Sequence, residues 1–221
     1  AAEQRTLAQL TRLQAAWDDP YQLAAEGDAE GFAEVYPPAD MWGSLRASVL
    51  LVTRPDGSVL AGGSTTEGDA FGPVPAELAS ASDRFVVTDD EAHCGTWAGA
   101  TPLVFCSHAL LRTDATGPST GTLTMFVPID DVFLGRLSEV VGLEVATEPE
   151  PIPAQAVVDD RTMRLGTQID AVNDPSGTWL SVSTERPVHA QAQTTQRALA
   201  TAGLICLGLV LALVVVAVEL L

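Results

Sequence analysis

Apolar residues at the start of the chain recur at helical spacing. Leu7, Leu10, Leu13 and Trp17 fall on one stripe and predict a helix over 1–17. The helix is expected to stop near Asp18, Asp19 and Pro20, because the residue before proline avoids the helical region. Its stripe reads as a core face or a dimer seam. Residues 21–46 continue as helix, interrupted at Gly27 and Gly31 and broken at Pro37 and Pro38. The pattern then shortens to strand-like runs. An apolar run at 48–53, a turn at Pro55, Asp56 and Gly57, and a return at 58–61 predict a hairpin. A glycine- and proline-rich loop at 62–75 precedes a short helix near 76–82. Strands are expected at 84–88, 93–97, 103–112 and 122–127, the second and third joined by a turn over 98–102. A helix at 129–141 follows, with Val132, Phe133, Leu137, Val140 and Val141 as its apolar face. A strand at 142–147, a proline-rich link at 148–153 and a hairpin of 163–172 with 178–184 complete the pattern. These elements imply an α/β (α+β) fold with a mostly antiparallel sheet and a long N-terminal helix.

One segment has a different character. Residues 198–218 form an uncharged run, bracketed by Arg197 and Glu219. As a helix it is about 31 Å long, against a hydrocarbon core of about 30 Å. A buried soluble helix of that length normally keeps a polar face, and this run has none. It therefore predicts a transmembrane helix in the lipid bilayer, and Pro187 suits the first turn of a helix running into it. The expected division is 1–197 as one folded domain and 198–218 as its membrane span. The chain begins with Ala1, so a processed or excised piece is expected, and no signal-peptide pattern is present.

Charge narrows the partners. The chain has 29 acidic residues against 11 basic ones, all arginine, for a net charge of -18. Nucleic acid binding needs a positive footprint, which this composition excludes. Anionic lipid surfaces repel it as well.

Candidate chemistry is sparse. The histidines are His93, His108 and His189, and none sits in a nucleophile-elbow motif. Gly62 and Gly63 lack the lysine and hydroxyl of a phosphate loop. Adjacent acids such as Asp89 and Asp90 point to opposite sides of an extended chain, so adjacency makes no catalytic pair. No catalytic residue, cofactor or metal site is therefore expected. His93, Cys94, Cys106 and His108 resemble a metal cluster, but lack the ligand spacing of a zinc site. Cys94 and Cys106 lie directly opposite if the turn centres on Ala100, within disulfide reach. Two buried free thiols are the alternative. Cys206 packs in the membrane segment. For ligand binding, Val104, Cys106, His108, Leu110 and Arg112 are expected to share one face of a strand. His108 and Arg112 would offer donors to an anion, and Trp97 and Tyr36 a stacking wall. The competing reading makes Arg112 a surface charge and Trp97 a core residue.

Several stretches resemble the CHASE4 family of extracytoplasmic sensor domains. The stretch from His108 to Gly121 is similar to that family's pattern of Ser/Asp, Gly-Pro and Gly before a strand, with Ala109 where the family usually has proline. The run Ala16, Trp17, Asp18, Asp19, Pro20, Tyr21, the turn at Arg54 to Gly57 and the stretch from Thr184 to Pro187 are similar too. Together they span 5–197 in the family's order. The resemblance implies a PAS-like or Cache-like sensor fold at the cell membrane, with residues 1–197 outside the cytoplasm. It implies a first membrane helix before Ala1 and a cytoplasmic output after Leu221, commonly a histidine kinase or a cyclic-di-GMP enzyme. The expected partners are an unknown small-molecule or physical cue and a second copy of the chain, a homodimer. A membrane-anchored structural or adhesion domain without signalling output is the alternative.

Overall fold

The computed structural model describes residues 2–66, 68–148, 150, 156–157 and 162–185. The expected membrane segment 198–218 and the helix from Pro187 lie outside the described residues. Among the described residues no helix is long and apolar enough to cross a membrane. The chain divides into two compact units. The first comprises Ala1–Leu137 with Gln168–Thr178, the second the described residues of Ser138–Thr167 and Trp179–Leu221.

In the first unit, helix α1 (Ala2–Ala15) is followed by three short helices, α2 (Asp18–Glu26), α3 (Gly31–Val35) and α4 (Pro38–Leu45). The inward line of α1 is Leu7, Thr11 and Ala15, one residue per turn. Thr11 satisfies its own hydroxyl by donating to Leu7 O at 2.8 Å. This corrects the stripe read from the sequence: Leu7 faces the core, whereas Leu13 and Trp17 are exposed, at 68% and 39%. Small inward side chains at 11 and 15 let the helix approach the sheet closely, which a leucine stripe would prevent. Pro20 also lies inside the first turn of α2 and does not end a helix; the break falls at Ala16 and Trp17. Proline is tolerated there because first-turn N–H groups have no intrahelical partner. Gly27 ends α2 with φ 74°, its N–H donating to Ala24 O, a left-handed cap that glycine adopts without a Cβ penalty.

The sheet of this unit has five antiparallel strands in the order β2-β1-β5-β4-β3. They are β1 (Val49–Thr53), β2 (Val59–Ser64), β3 (His93–Trp97), β4 (Leu103–Ala109) and β5 (Thr122–Pro128). The central strands β1 and β5 are buried along their whole length. They read as continuous apolar or threonine runs because both faces are covered. Helix α1 packs over the face that carries Val104, Cys106 and His108. The opposite face carries Val49, Leu51, Phe105, Phe126 and Trp97, and is filled by Leu78 of α5 (Ala76–Ser80) and Phe85. The Phe85 ring lies 5.1 Å from Phe105, 5.1 Å from Phe126 and 5.5 Å from Trp97, distances at which aromatic pairs attract. Gly62 of β2 sits at φ 105°, and a Cβ there would come 2.1 Å from Leu50 O.

No strand forms at 84–88. A 3-10 helix occupies Ser82–Phe85. The backbone N–H and C=O of Val87 are satisfied by one side chain, the Thr122 hydroxyl, at 2.9 and 3.0 Å, so no ladder is needed. The exposed edge of β3 is closed by the 168–178 segment. Val172 N donates to Thr96 O at 2.9 Å, Asn173 exchanges two hydrogen bonds with the backbone of Ala98, and the Thr96 hydroxyl donates to Asp170 O. Covering an edge in this way removes a template for pairing with other chains.

Helix α6 (Asp131–Val141) starts where Asp130 Oδ1 accepts the N–H of Phe133 at 2.9 Å. Its buried residue is Leu134, while Val132, Val140 and Val141 are exposed. The apolar face read from the sequence is therefore corrected, because the inward line runs through Leu134 with Phe133 and Leu137 partly covered. The second unit has a four-stranded sheet in the order β6-β9-β8-β7, with β6 (Glu144–Glu148), β7 (Ala156–Val157), β8 (Thr162–Ile169) and β9 (Thr178–Glu185). The fold is thus mixed α/β with antiparallel sheets.

Candidate functional site

Regular β4 pairing ends at Ala109 opposite Thr122. Beyond it, Leu110 N donates to Gly121 O at 2.8 Å and Leu111 N to Ala15 O at 3.3 Å, and the chain then leaves the sheet as a surface loop. Arg112 sits on that loop. The expected common face of His108, Leu110 and Arg112 is corrected accordingly, since alternation holds only while the strand continues. His108 is fully buried and Arg112 is exposed.

The loop meets the start of α2. Thr113 N donates to Asp18 Oδ1 at 3.1 Å, and the Thr120 hydroxyl donates to Tyr21 O at 3.1 Å. These two bonds fix the loop against the helix, and the Arg112 guanidinium lies 5.0 Å over the Tyr21 ring, in cation–π range. Asp18, Tyr21, Gln22, Arg112, Thr113 and Asp114 line an open cleft of about 420 Å³. That volume falls within the range of small-molecule sites. Hydrogen bonds from the Thr116 hydroxyl and then its N–H hold the Asp114 carboxyl below the ordinary aspartate range. The tight turn that allows them puts Ala115 at φ 54°. Among the described residues no carboxylate forms an ion pair with Arg112. The cleft thus presents a guanidinium with no ion-pair partner among the described residues, an aromatic face and carboxylates at its rim. Such a set suits a small polar ligand with an anionic group.

Residues 1–148 match the CHASE4 domain family. The chain belongs to the CHASE4 family. No curated protein matches this CHASE4 sequence. Two crystal structures of the periplasmic domain of Vibrio cholerae LuxQ, one with selenomethionine, are similar to it. Each is 13% identical with a TM-score of 0.52, over 84% of this chain and 95% or 94% of LuxQ. At that identity the likeness establishes the fold. The ligand-binding domain of the Campylobacter jejuni chemoreceptor Tlp3, in complex with L-valine, is 9% identical with a TM-score of 0.42, over 86% of this chain and 83% of that one.

Within this CHASE4 chain the four residues expected to share a pocket are not brought together. Trp97 is in the aromatic core on the sheet face opposite His108. Tyr36 is fully buried, stacked on Phe32 at 6.2 Å, with its hydroxyl donating to Gln14 O at 2.5 Å. Burial pushes its phenol well above the ordinary tyrosine range. Arg112 alone lines the cleft. Cys94 faces Cys106 across β3 and β4, and their sulfurs are bonded at 2.01 Å. Among the described residues no group of three or more His, Cys, Asp or Glu side chains is placed to hold a metal ion.

Sequence reasoning missed Asp18, Tyr21 and Gln22 as cleft residues. For Asp18 and Tyr21 the signal was present in the run from Ala16 to Tyr21, which carried the resemblance. Its link to Arg112 is a contact between residues about ninety positions apart, which no local pattern encodes.

Proposed function

We propose that this chain is the extracytoplasmic signal-input domain of a membrane-bound receptor. Residues 1–197 form the sensor, and 198–218 form the transmembrane helix that carries a conformational change to a cytoplasmic output, a histidine kinase or a cyclic-di-GMP enzyme. The observation that carries this reading is CHASE4 membership over 1–148, in a chain that goes on to the uncharged run at 198–218. The LuxQ likeness supports it, since that protein's similar portion is a periplasmic domain. The part described here acts by binding, without catalysis of its own.

The ligand site of this reading is the Arg112 cleft. The sheet face under Phe85 is filled by aromatic rings, which supports a ligand site at the surface over one on that face. Arg112 holds an anionic group of a small polar molecule, and Tyr21 and Gln22 contact its body. Differential affinity for two states of the domain is the energetic requirement for signalling. The homodimer seam of this reading shifts to the outer side of α1, where Leu13 and Trp17 are exposed; Leu7 belongs to the core.

The test is a thermal-shift screen of the full chain in detergent with a panel of small mono- and dicarboxylates and amino acids. A binder at 100 times its Kd adds about 2.7 kcal/mol to stability. That raises Tm by several degrees in the parent and leaves Arg112→Ala unmoved. Equal shifts in both proteins overturn the cleft as the site, and an unresponsive panel overturns it and favours the membrane-anchored structural domain. The packed interior is the observation that favours that second reading.

A further inference from the structure

A second cavity of the first unit lies beside α1, as a crevice bordered by the end of α4, by β4 and β5, and by α6. Val104 and Val127 pair across β4 and β5, so both point to the face that α1 covers. They form the base. Leu7 and Leu10 of α1 form one wall, and Phe133 of α6 the other. Leu7, Val104 and Val127 are buried, and Leu10 and Phe133 are half-buried. The inner part of the crevice is therefore apolar. Its volume is about 120 Å³, which admits about four groups of water size at about 30 Å³ each.

Two arginines, Arg46 and Arg136, line the same crevice. Their meeting runs against a composition of 29 acidic and 11 basic residues. Arg46 ends α4 with φ 55°, a left-handed position that glycine adopts at lower cost. Backbone strain of this kind persists where the surroundings hold it, and it clusters at ligand sites. The surroundings here are specific. The Arg46 guanidinium lies 3.9 Å over the Trp42 ring, and its Nη2 donates to Asp130 Oδ2 at 2.6 Å. Asp130 Oδ1 accepts the N–H of Phe133 at 2.9 Å. One carboxylate thus fixes both an arginine and an apolar wall. It also neutralises Arg46. Arg136 is exposed, and among the described residues it has no ion-pair partner. The crevice keeps its positive charge.

We propose that this crevice is a second binding site, for a short-chain aliphatic carboxylate. An alkyl chain of about four carbons fills the apolar part, and the carboxylate meets Arg136 at the mouth, beside Arg46. A guanidinium matches a carboxylate in shape and charge. An inorganic anion would leave the apolar walls in water, and an uncharged chain would leave Arg136 unpaired. The crevice and the Arg112 cleft share no lining residue, so the two sites stand or fall separately. Because α1 supplies one wall, the ligand favours the state of the domain that keeps α1 and α6 at this separation.

The experiment is a calorimetric titration of the full chain in phosphatidylcholine nanodiscs, with empty nanodiscs as the blank. The probes are acetate, propanoate, butanoate, pentanoate, hexanoate and octanoate, with pentanamide as the uncharged control. Affinity is expected to rise about fourfold per added CH2 up to pentanoate. It then levels off, because further carbons find no apolar wall. Pentanamide in the parent, and pentanoate in Arg136→Gln, should each bind about tenfold more weakly or worse. Leu10→Trp, which fills the crevice, should abolish binding, and Arg112→Ala should leave it unchanged. Arg136 is exposed, so Arg136→Gln should melt at the parent's temperature, which separates a lost site from a lost fold. Absence of pentanoate binding overturns the proposal. So does an affinity that survives Arg136→Gln, or one that climbs unbroken to octanoate, the mark of partition into lipid. Loss of binding in Arg112→Ala would move the carboxylate to the surface cleft and overturn the crevice as its site.

Discussion

The two units of the chain use their strands in opposite ways. In the first, β1 and β5 are buried at every position, and Phe85, Phe105, Phe126 and Trp97 interlock on one face. In the second, β8 alternates between half-buried and exposed residues over 162–167, with no buried position, and leaves Met163 and Leu165 at 38% and 45% exposure. Val140, Val141 and Leu143 are exposed as well. Among the described residues of the second unit, Val145, Leu180 and Ser181 are buried. Hydrophobic burial scales with apolar area removed from water, so among the described residues the first unit contributes the larger share of it. The described residues of the second unit carry polar bonds as well, the Ser181 hydroxyl donating to Glu148 at 2.6 Å and Arg164 pairing with the same carboxylate at 3.2 Å.

Core truncation gives the sharpest contrast. Phe85→Ala removes a side chain that touches three other rings and is expected to cost about 3–5 kcal/mol. Met163→Ala, at an exposed site, is expected to cost about 0.5 kcal/mol or less. Urea titrations followed by residue-resolved hydrogen exchange separate the two units. Equal losses from the two substitutions break the comparison, because the second unit would then have a core of comparable weight.

The Cys94–Cys106 bond is the next largest effect, and it belongs to the first unit alone. It closes a loop with a sequence separation of 12. On the chain-entropy account such a loop contributes about 2–3 kcal/mol. The double change Cys94→Ala with Cys106→Ala should lower the urea midpoint to match. Because Cys106 Sγ also lies 3.7 Å from Gln4 O of α1, exchange in the first turns of α1 should rise with it. Protection lost in the second unit instead would show that the units unfold together.

A smaller effect probes the second unit. Ser181→Ala removes a buried donor to a carboxylate, and hydrogen bonds to charged groups contribute about 1.5–3 kcal/mol. Partial exposure of Glu148 puts this case at the lower end. The loss should appear first as faster exchange in β6 and β9, which pair through Ala146 and Ser181. Faster exchange in β1 and β5 would contradict a division into separate units.

The same contrast explains what was legible in the sequence. The hairpin of β1 and β2, the register that opposes Cys94 and Cys106, and β5 are set by apolar runs, turn residues and period-2 alternation, all local signals. The antiparallel α/β character followed from them. Non-local bonds decided the rest. The 84–88 stretch has strand composition, but the Thr122 hydroxyl satisfies the Val87 backbone from 35 positions away. Arg112 was expected on the strand face of His108 because alternation was carried past Ala109, where pairing in fact ends.

The smallest expected effect is acid sensitivity, and it too distinguishes the units. Asp56, Asp114 and Asp174 each accept hydrogen bonds from a hydroxyl and an N–H two residues on, from Ser58, Thr116 and Ser176. Those bonds hold each carboxyl below the ordinary aspartate value of 3.8. All three residues lie in the first unit. A depressed carboxyl stabilises the fold above the ordinary value, and the contribution is lost as pH falls through the lowered one. Acidification from pH 5 to pH 3 should therefore loosen these three turns, seen as faster exchange at the amides of Ser58, Thr116 and Ser176. Asparagine at position 114 keeps an acceptor oxygen but cannot ionise. Asp114→Asn should thus flatten the pH response at Thr116 while leaving Ser58 and Ser176 as they were. A response at Thr116 that persists in Asp114→Asn would assign the acid effect to general repulsion in the chain and remove the turn carboxylates as its source.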